Sequence, residues 1–435
     1  MTINYNKWSA MPEQERMNIF NRSELVISDV MDTVSQIIDN VKSNGDKALY
    51  EYNRDFDGVK PEKYNLRVSA EEFEEAESSL SADVKEAIDF SIANVLKFHK
   101  SQIPEGMNMI EIRKGVFAGE KAIAIESAGL YVPRGRGSFP SMLYMQAIPA
   151  IAAGVRRICI VTPPDEMGKV DPGCLYAARK CGVSEVYKTG GAQAIAALAY
   201  GTESIKPVVK ITGPGSKYVS AAKRLLSGIV DPGLPAGPSD SAVLADASAD
   251  PYKAALDLMT EAEHGSDSSA ILVTDSESLA RKCMAYLDTL AAKLPPQRKK
   301  FVEDVFAGFG GIILVDSIEE GARVVNIYAP EHLQIVTEDP WDTVQLIENA
   351  GEILLGDNTP FSNANYSIGA NAVLPTGGKA KTWSALSARD FIKYSSIVYS
   401  TAKGYRDLEK HVKVLADYEG FAAHGNALKL RNDNV

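Results

Sequence analysis

Histidine is scarce in this 435-residue chain, with five in all, and two of them pair with a glutamate in a way that could do chemistry. Glu261 and His264 fall at i,i+3 in DPYKAALDLMTEAEHG (250–265), a stretch that reads as one helix. Asp250 suits its N-cap, Pro251 its first turn, and Gly265 a left-handed C-terminal position. Residues three apart share a helix face, so a carboxylate and an imidazole there can hold one divalent metal, zinc by preference. The same pair also reads as an ordinary helix end, with His264 at the negative pole of the dipole. Glu331 and His332 are adjacent in NIYAPEHLQIV, at a loop between a helix and a strand. Side by side they could supply a general base and a water activator; a polar loop residue beside a surface carboxylate is the plainer reading. His424, in EGFAAHGNAL, is unremarkable taken alone. His99 and His411 sit among lysines on amphipathic helices and read as solvated.

These residues need a scaffold, and the middle of the chain supplies one. From about residue 130 to 240, short apolar runs such as ICIV and VVKI alternate with helical stretches across Gly and Pro loops. Strand, tight loop and helix repeated at this spacing predict a parallel α/β unit, with buried strands. TGGAQA and TGPGSK would place backbone N–H groups at helix starts, which suits a pyrophosphate, although neither is a GxGxxG fingerprint and both also read as tight turns. SAVLAD, ILVTD, GIILVD, LQIVTED and EILLG continue the alternation to about 375. The expected fold is therefore α/β, with two Rossmann-like parallel-sheet domains. One comprises 130–239; the other joins 240–385 to the helical section 26–129. Residues 1–25 read as a helical arm with Met11, Met17, Ile19 and Phe20 as its apolar side. Residues 386–435, including KYSSIVYSTAKG, read as a helical tail too thin to fold alone, which should pack on something such as a second subunit.

Bulk properties narrow the function. A net charge of −11 argues against nucleic acid or an anionic membrane as the main partner. The longest uncharged window, about 137–155, carries Pro140, Gln146 and Pro149 and makes a poor membrane span. Four cysteines (Cys159, Cys174, Cys181, Cys283) show no metal spacing and read as reduced thiols of a cytoplasmic protein. The opening residues carry no secretory signal pattern.

Taken in order, YVPRG, GGAQAIAALAYGTE, GPG, LPAGPS, EAEHG, YAPEHL, NAVLPT and AHGNAL resemble the histidinol dehydrogenase family, from about residue 25 to the end. The resemblance implies an NAD-dependent zinc enzyme, with one zinc per subunit, that oxidises a primary alcohol through an aldehyde to a carboxylate using two NAD. It also implies a homodimer whose C-terminal tails are swapped. His332 matches the family's catalytic base and Glu331 its water activator. His264 and His424 match zinc ligands, His424 from the partner's tail; Tyr131 and Gln193 match the NAD site, and Ser141, Ser239 and Glu419 match substrate contacts, Glu419 also from the tail. Departures are equally specific. Glu261 stands where the family usually has Gln, and Asn365 where it has Asp, so the set Glu261, His264, Asn365 and His424 keeps one carboxylate. Asp357 is a weaker substitute for Asn365. Ala372 replaces a substrate-contacting His, and Ser216 replaces an Asn of the NAD site. Arg134 and Arg136 could pair with an anionic group of substrate or cofactor, or simply with solvent. The resemblance thus leaves three readings open: histidinol oxidation, a paralogue for another small alcohol such as dihydroxypropane sulfonate or another polyol, and a non-catalytic nucleotide-binding homologue.

Overall fold

The computed structural model describes residues 1–20, 27–60, 64–134 and 137–432. The chain forms two compact units. One contains Met1–Gln102 and Ile125–Phe391; the other contains Ile103–Ala124 and the chain from Ile392 onward. Numbered along the chain, the strands are β1 (Tyr5–Lys7), β2 (Met107–Arg113), β3 (Val116–Ala124), β4 (Ser127–Tyr131), β5 (Arg157–Thr162), β6 (Glu185–Lys188), β7 (Lys210–Thr212), β8 (Asp240–Ala245), β9 (Ser269–Thr274), β10 (Gly311–Leu314), β11 (His332–Val336), β12 (Glu352–Leu355) and β13 (Ile392–Ser400).

The larger unit holds two parallel sheets. One has the order β6-β5-β4-β7; the other has the order β1-β10-β9-β8-β11-β12. Setting β1 aside, each runs third-second-first-fourth in chain order, the Rossmann arrangement. All residues of β8 and β9 are buried, as strands covered by helices on both faces must be. The α/β alternation expected of 130–375 is therefore present.

The N-terminal helices pack differently from the sequence assignment of 26–129 with 240–385. Helix Met31–Asp57 buries Val34, Ile37, Val41 and Leu49 against Ala194, Ile195, Leu198 and Ala222 of the four-stranded sheet's helices. Ile88 and Val95 of helix Ala82–Lys100 pack with Leu143, Ala147 and Ile148 on that sheet's other side. Periodicity reveals that a helix has an apolar face but not which sheet it covers. Gly45 does not stop the first of these helices. It breaks it locally at φ 52°, ψ −132°, and the Glu203 carboxylate accepts the Asp46 N–H (2.7 Å) where the turn opens.

Both ends of the chain also contribute strands. Residues 5–7 pair with β10, Tyr5 opposite Ile312, before helix Glu13–Phe20 begins. Of the expected apolar side of the arm, Met11 is buried and Met17 is exposed; the Phe20 side chain and residues 21–25 lie outside what is described. In the smaller unit, IKYSSIVYS is not helical. It forms β13 antiparallel to β3, which also pairs with β2. Tyr394, Ile397, Val398 and Tyr399 are β-branched or aromatic and favour the extended chain. The helical reading holds beyond it, in Ala402–Tyr418 and Ala422–Asn432.

All four cysteines are free. Among the described residues, no helix is long and apolar enough to cross a membrane.

Candidate active site

The amino ends of β8, β11 and β12 bring the chemistry together. His332 is the first residue of β11 and sits between Ser241 of β8 and Glu352 of β12 in the parallel register. Glu331, one residue earlier, is locked to β8 twice: its N–H donates to Asp240 Oδ1 (2.7 Å), and the Asp240 N–H donates to Glu331 Oε2 (3.2 Å). A second Asp240 oxygen accepts from the Gly377 N–H (2.6 Å). The Glu331 carbonyl accepts from the Glu352 N–H (2.9 Å). Side chain and backbone are thus held from three directions.

The Ser239 hydroxyl lies 2.6 Å from Glu261 Oε2 and 2.8 Å from Glu331 Oε2. One hydroxyl carries one proton, so it cannot donate to both carboxylates. Donation to ionised Glu261 and acceptance from protonated Glu331 satisfies all three groups. The electrostatics agree. Burial pushes the Glu331 carboxyl up, against the pull of His332 and with Asp240 and Glu261 adding to it, to about 8. Burial would also raise Glu261, but His264 and His332, with hydrogen bonds from Ser239 and Asn365, bring it down to about 2. Burial alone would depress His332; Glu261, Glu352 and Glu331 together carry it up to about 10. The surrounding carboxylates thus favour the protonated imidazole.

Helix Pro251–Ala262 presents Glu261 in its last turn, with the Asp250 carboxylate accepting the Tyr252 N–H at its start (2.8 Å). The helix ends at Ala262, earlier than the sequence suggests. Its C-cap is Glu263 in right-handed conformation, and Gly265 is not among the glycines of positive φ. His264 therefore lies just beyond the helix, with Nδ1 3.2 Å from the Glu261 carbonyl and 3.4 Å from its Oε2. Asn365, on the short helix Phe361–Tyr366, donates from Nδ2 to Glu261 Oε1 (2.8 Å). Asp357 is engaged elsewhere, with Lys253 (3.0 Å).

Glu261, His264 and Asn365 fit a divalent cation as an open set by the chemistry of their donors: an ionised carboxylate, an imidazole and an amide oxygen. Among the described residues, no group of three His, Cys, Asp or Glu side chains forms a metal cage; the third donor here is an amide. His424 and Glu419 lie in the smaller unit and are exposed, His424 against the Phe421 ring.

The nucleotide candidates gather at the carboxyl ends of the four-stranded sheet. Tyr131 ends β4, and its hydroxyl accepts the Gly191 N–H (3.2 Å) at the start of helix Gly191–Tyr200. Gln193, in that helix's first turn, is buried with Oε1 unpartnered. Ser216 caps helix Lys217–Leu225 by position but not by a side-chain hydrogen bond, and it is exposed. An orphan acceptor, a free hydroxyl and two helix starts suit a nucleotide. Gln146, which the sequence marks only as a polar residue in an uncharged window, links Tyr131 O (3.0 Å) to the Thr212 hydroxyl (2.8 Å) and so ties β4 to β7. Gly213 follows at φ +107°, where a Cβ would stand 2.1 Å from Tyr131 O. Beside this, at the end of β5, a cleft of about 520 Å³ is lined by Asp57, Arg134, Pro163, Asp165 and Glu166. Arg134 faces Asp165 (3.6 Å); Arg136 lies outside the described residues. Ser141, in the first turn of helix Pro140–Ala153, makes no hydrogen bond to the Glu331 cluster.

Three further residues depart from the sequence picture. His99 is not solvated. It is fully buried, with Nδ1 2.8 Å from Gln102 Oε1 and Nε2 3.1 Å from Asn371 Nδ2, and burial lowers its pKa. Asp240 and Glu352 are central to the cluster yet stand in no motif read from the sequence. Their signal is position alone, as the first residues of two strands that flank β11.

Comparison with known proteins bears on this arrangement. The family model described as histidinol dehydrogenase matches residues 20–432. A histidinol dehydrogenase of Synechocystis is 51% identical over 427 residues, 98% of each chain, and a histidinol dehydrogenase homolog of Rhizobium meliloti is 48% identical over 98% of this chain and 94% of its own. The crystal structure of histidinol dehydrogenase from Elizabethkingia anophelis superposes with a TM-score of 0.94 at 35% identity, covering 100% of this chain and 98% of that one. An acetylating aldehyde dehydrogenase from Geobacillus thermoglucosidasius (TM-score 0.50, 15% identity, 89% of this chain and 97% of that one) shares the fold alone.

Proposed function

The chain belongs to the histidinol dehydrogenase family of oxidoreductases, and we propose that it oxidises L-histidinol through its aldehyde to L-histidine, with two NAD, in histidine biosynthesis. The observation that supports this most is the linked cluster Glu261–Ser239–Glu331 beside His332. It combines an ionised metal-type carboxylate, a carboxyl whose pKa of about 8 suits proton transfer near neutrality, and a buried imidazole.

In this reading one zinc per subunit is held by Glu261, His264 and Asn365, with His424 completing the set from the tail of a second copy, which also brings Glu419 to the substrate. When bound, zinc supplies Lewis-acid polarisation of the substrate oxygen. NAD would be held by Tyr131, Gln193 and Ser216 and would supply the hydride acceptor for each oxidation. His332 takes the hydroxyl proton. It can do so only when neutral, and neutralising the charge of Glu261, first among the groups that raise it, withdraws much of what keeps it protonated. Glu331 takes the proton of the water that adds to the aldehyde. Ser239 keeps the two glutamates in step, and with Ser141 contacts the substrate. Exposed Tyr418 (89%) and Val398 (78%) on the smaller unit accord with a homodimer covering them. The reading places the protein in the cytoplasm.

A second reading, a paralogue for another small alcohol, draws on Ala372, whose methyl packs with an apolar cluster and offers no polar contact. NADH formation by zinc-loaded protein separates the readings. Two NADH per L-histidinol supports the first. Silence with histidinol and turnover with a polyol or dihydroxypropane sulfonate replaces it by the second. Absence of both turnover and bound zinc leaves a non-catalytic homologue.

A further inference from the structure

One carboxylate oxygen of Glu352 lies 3.0 Å from His332 Nδ1. The two residues are register partners on neighbouring parallel strands, so their side chains leave the sheet on the same face. His332 is buried and Glu352 nearly so, with side chains 3% and 9% exposed. The backbone fixes the pairing again: Gly351 and Glu352 donate their N–H groups to Pro330 O and Glu331 O, each at 2.9 Å. A Cβ on Gly351 would stand 2.7 Å from Glu331 O, so the two strands meet here more closely than a side chain allows. On the other side of the ring, Nε2 lies 4.0 Å from Glu331 Oε1. The Phe361 ring packs against the imidazole at 5.7 Å.

An imidazole with one nitrogen on a buried carboxylate has its tautomer and plane set by that contact. From this geometry we propose that Glu352 is a positioning residue for His332: it accepts the Nδ1–H and so leaves Nε2 as the nitrogen that faces Glu331 and the substrate. The proposal rests on the reading of His332 as the base. It sets a carboxylate behind the base, as the orienting carboxylates behind catalytic histidines do in unrelated enzymes. The orienting group here comes from the next strand of the sheet, so the contact is built from β-sheet register and not from a loop.

The test compares zinc-loaded wild type with Glu352→Gln and Glu352→Ala. Gln keeps an oxygen that can accept the Nδ1–H; Ala removes it. With histidine labelled by nitrogen-15, the wild type should show a His332 Nδ1–H proton signal, visible because exchange with water is slow. The signal should persist in Glu352→Gln and vanish in Glu352→Ala. With L-histidinol, Glu352→Ala should lower kcat by about 10- to 100-fold with little change in KM, and Glu352→Gln should retain most of the activity. A wild-type His332 without a proton on Nδ1, or Glu352→Ala with wild-type kcat, overturns the proposal. The wild-type spectrum decides even if the alanine variant fails to fold. If wild type itself does not oxidise histidinol, the functional reading fails, while the Nδ1–H signal still reports separately on Glu352.

Discussion

The two parallel sheets of the larger unit share a strand order and use opposite ends. In the four-stranded sheet the candidate ligand residues stand at the carboxyl ends: Tyr131 after β4, Gln193 after β6 and Ser216 after β7. That is where open α/β sheets bind ligands, at the point where strand order reverses. In the six-stranded sheet the reversal lies between β8 and β11, but Ser239, Glu331, His332 and Glu352 all stand at the amino ends. Its carboxyl ends carry Asp246, Asp275, Asp316 and Glu338 instead, a poor setting for a pyrophosphate. Topology therefore locates the first site and misplaces the second. Helix starts serve a nucleotide; proton transfer needs side chains held stiffly, and the first residues of paired strands provide that.

The largest effect that would break this contrast is at the amino ends. His332→Ala and Glu331→Ala should each reduce turnover by about 10²- to 10⁴-fold, with unchanged circular dichroism. Full activity in either would remove the chemistry from this end of the sheet. At the carboxyl end of the other sheet, Gly213→Ala combines a positive φ with a Cβ 2.1 Å from Tyr131 O. It should cost about 2 kcal/mol or more in urea unfolding and raise the KM for NAD. An unchanged KM for NAD would leave that site with no nucleotide role.

Asp57 tests the cleft beside that site through pH. Burial raises its carboxyl from 3.8 to about 6, against the opposing pull of Arg134. The folded chain then keeps a proton that the unfolded chain has already lost. The stability this contributes is complete below about pH 4 and is lost as pH rises through 6. Asp57→Asn should therefore gain stability relative to wild type between pH 4 and 7, by roughly 1 kcal/mol once the group's partial exposure is allowed for. A difference that does not vary with pH would contradict this. The smallest effect is expected at the acidic carboxyl end of the six-stranded sheet. There Asp246 accepts the Ser248 N–H (2.9 Å) and the Glu338 N–H (2.8 Å). Asp246→Ala should cost about 1 kcal/mol and leave kcat and KM unchanged; altered kinetics would show that both ends of this sheet serve the reaction.

The same contrast explains what was legible in the sequence. Local signals were readable: the α/β alternation, the Glu331–His332 pair and the Asp250 cap. Glu261, His264 and Asn365, expected together from the sequence, stand in contact. What failed depends on partners distant in sequence. His99 reads as solvated because lysines flank it; its burial is made tolerable by Gln102 on one nitrogen and, on the other, by Asn371, 272 residues away. IKYSSIVYS was read as helix although its side chains favour strand, because the neighbouring helical tail outweighed a nine-residue signal. Asp240 and Glu352 carry no motif; their meaning comes from the register that sets them beside β11.

That register also governs how the site can move. The cluster is fastened to the hydrogen-bond ladder of β8, β11 and β12, with β8 and β11 inside the six-stranded sheet and β12 at its edge, and not to a lid or a mobile loop. To loosen Glu331 or His332, neighbouring strands must part, a motion that belongs to global unfolding and not to local fluctuation. The amide protons of Leu333 to Ile335 should consequently be among the slowest in the protein to exchange with deuterium. Catalytic geometry and thermodynamic stability are then one quantity here, so a destabilising change deep in the sheet would show itself as a loss of organised active sites rather than as a softer version of the same site.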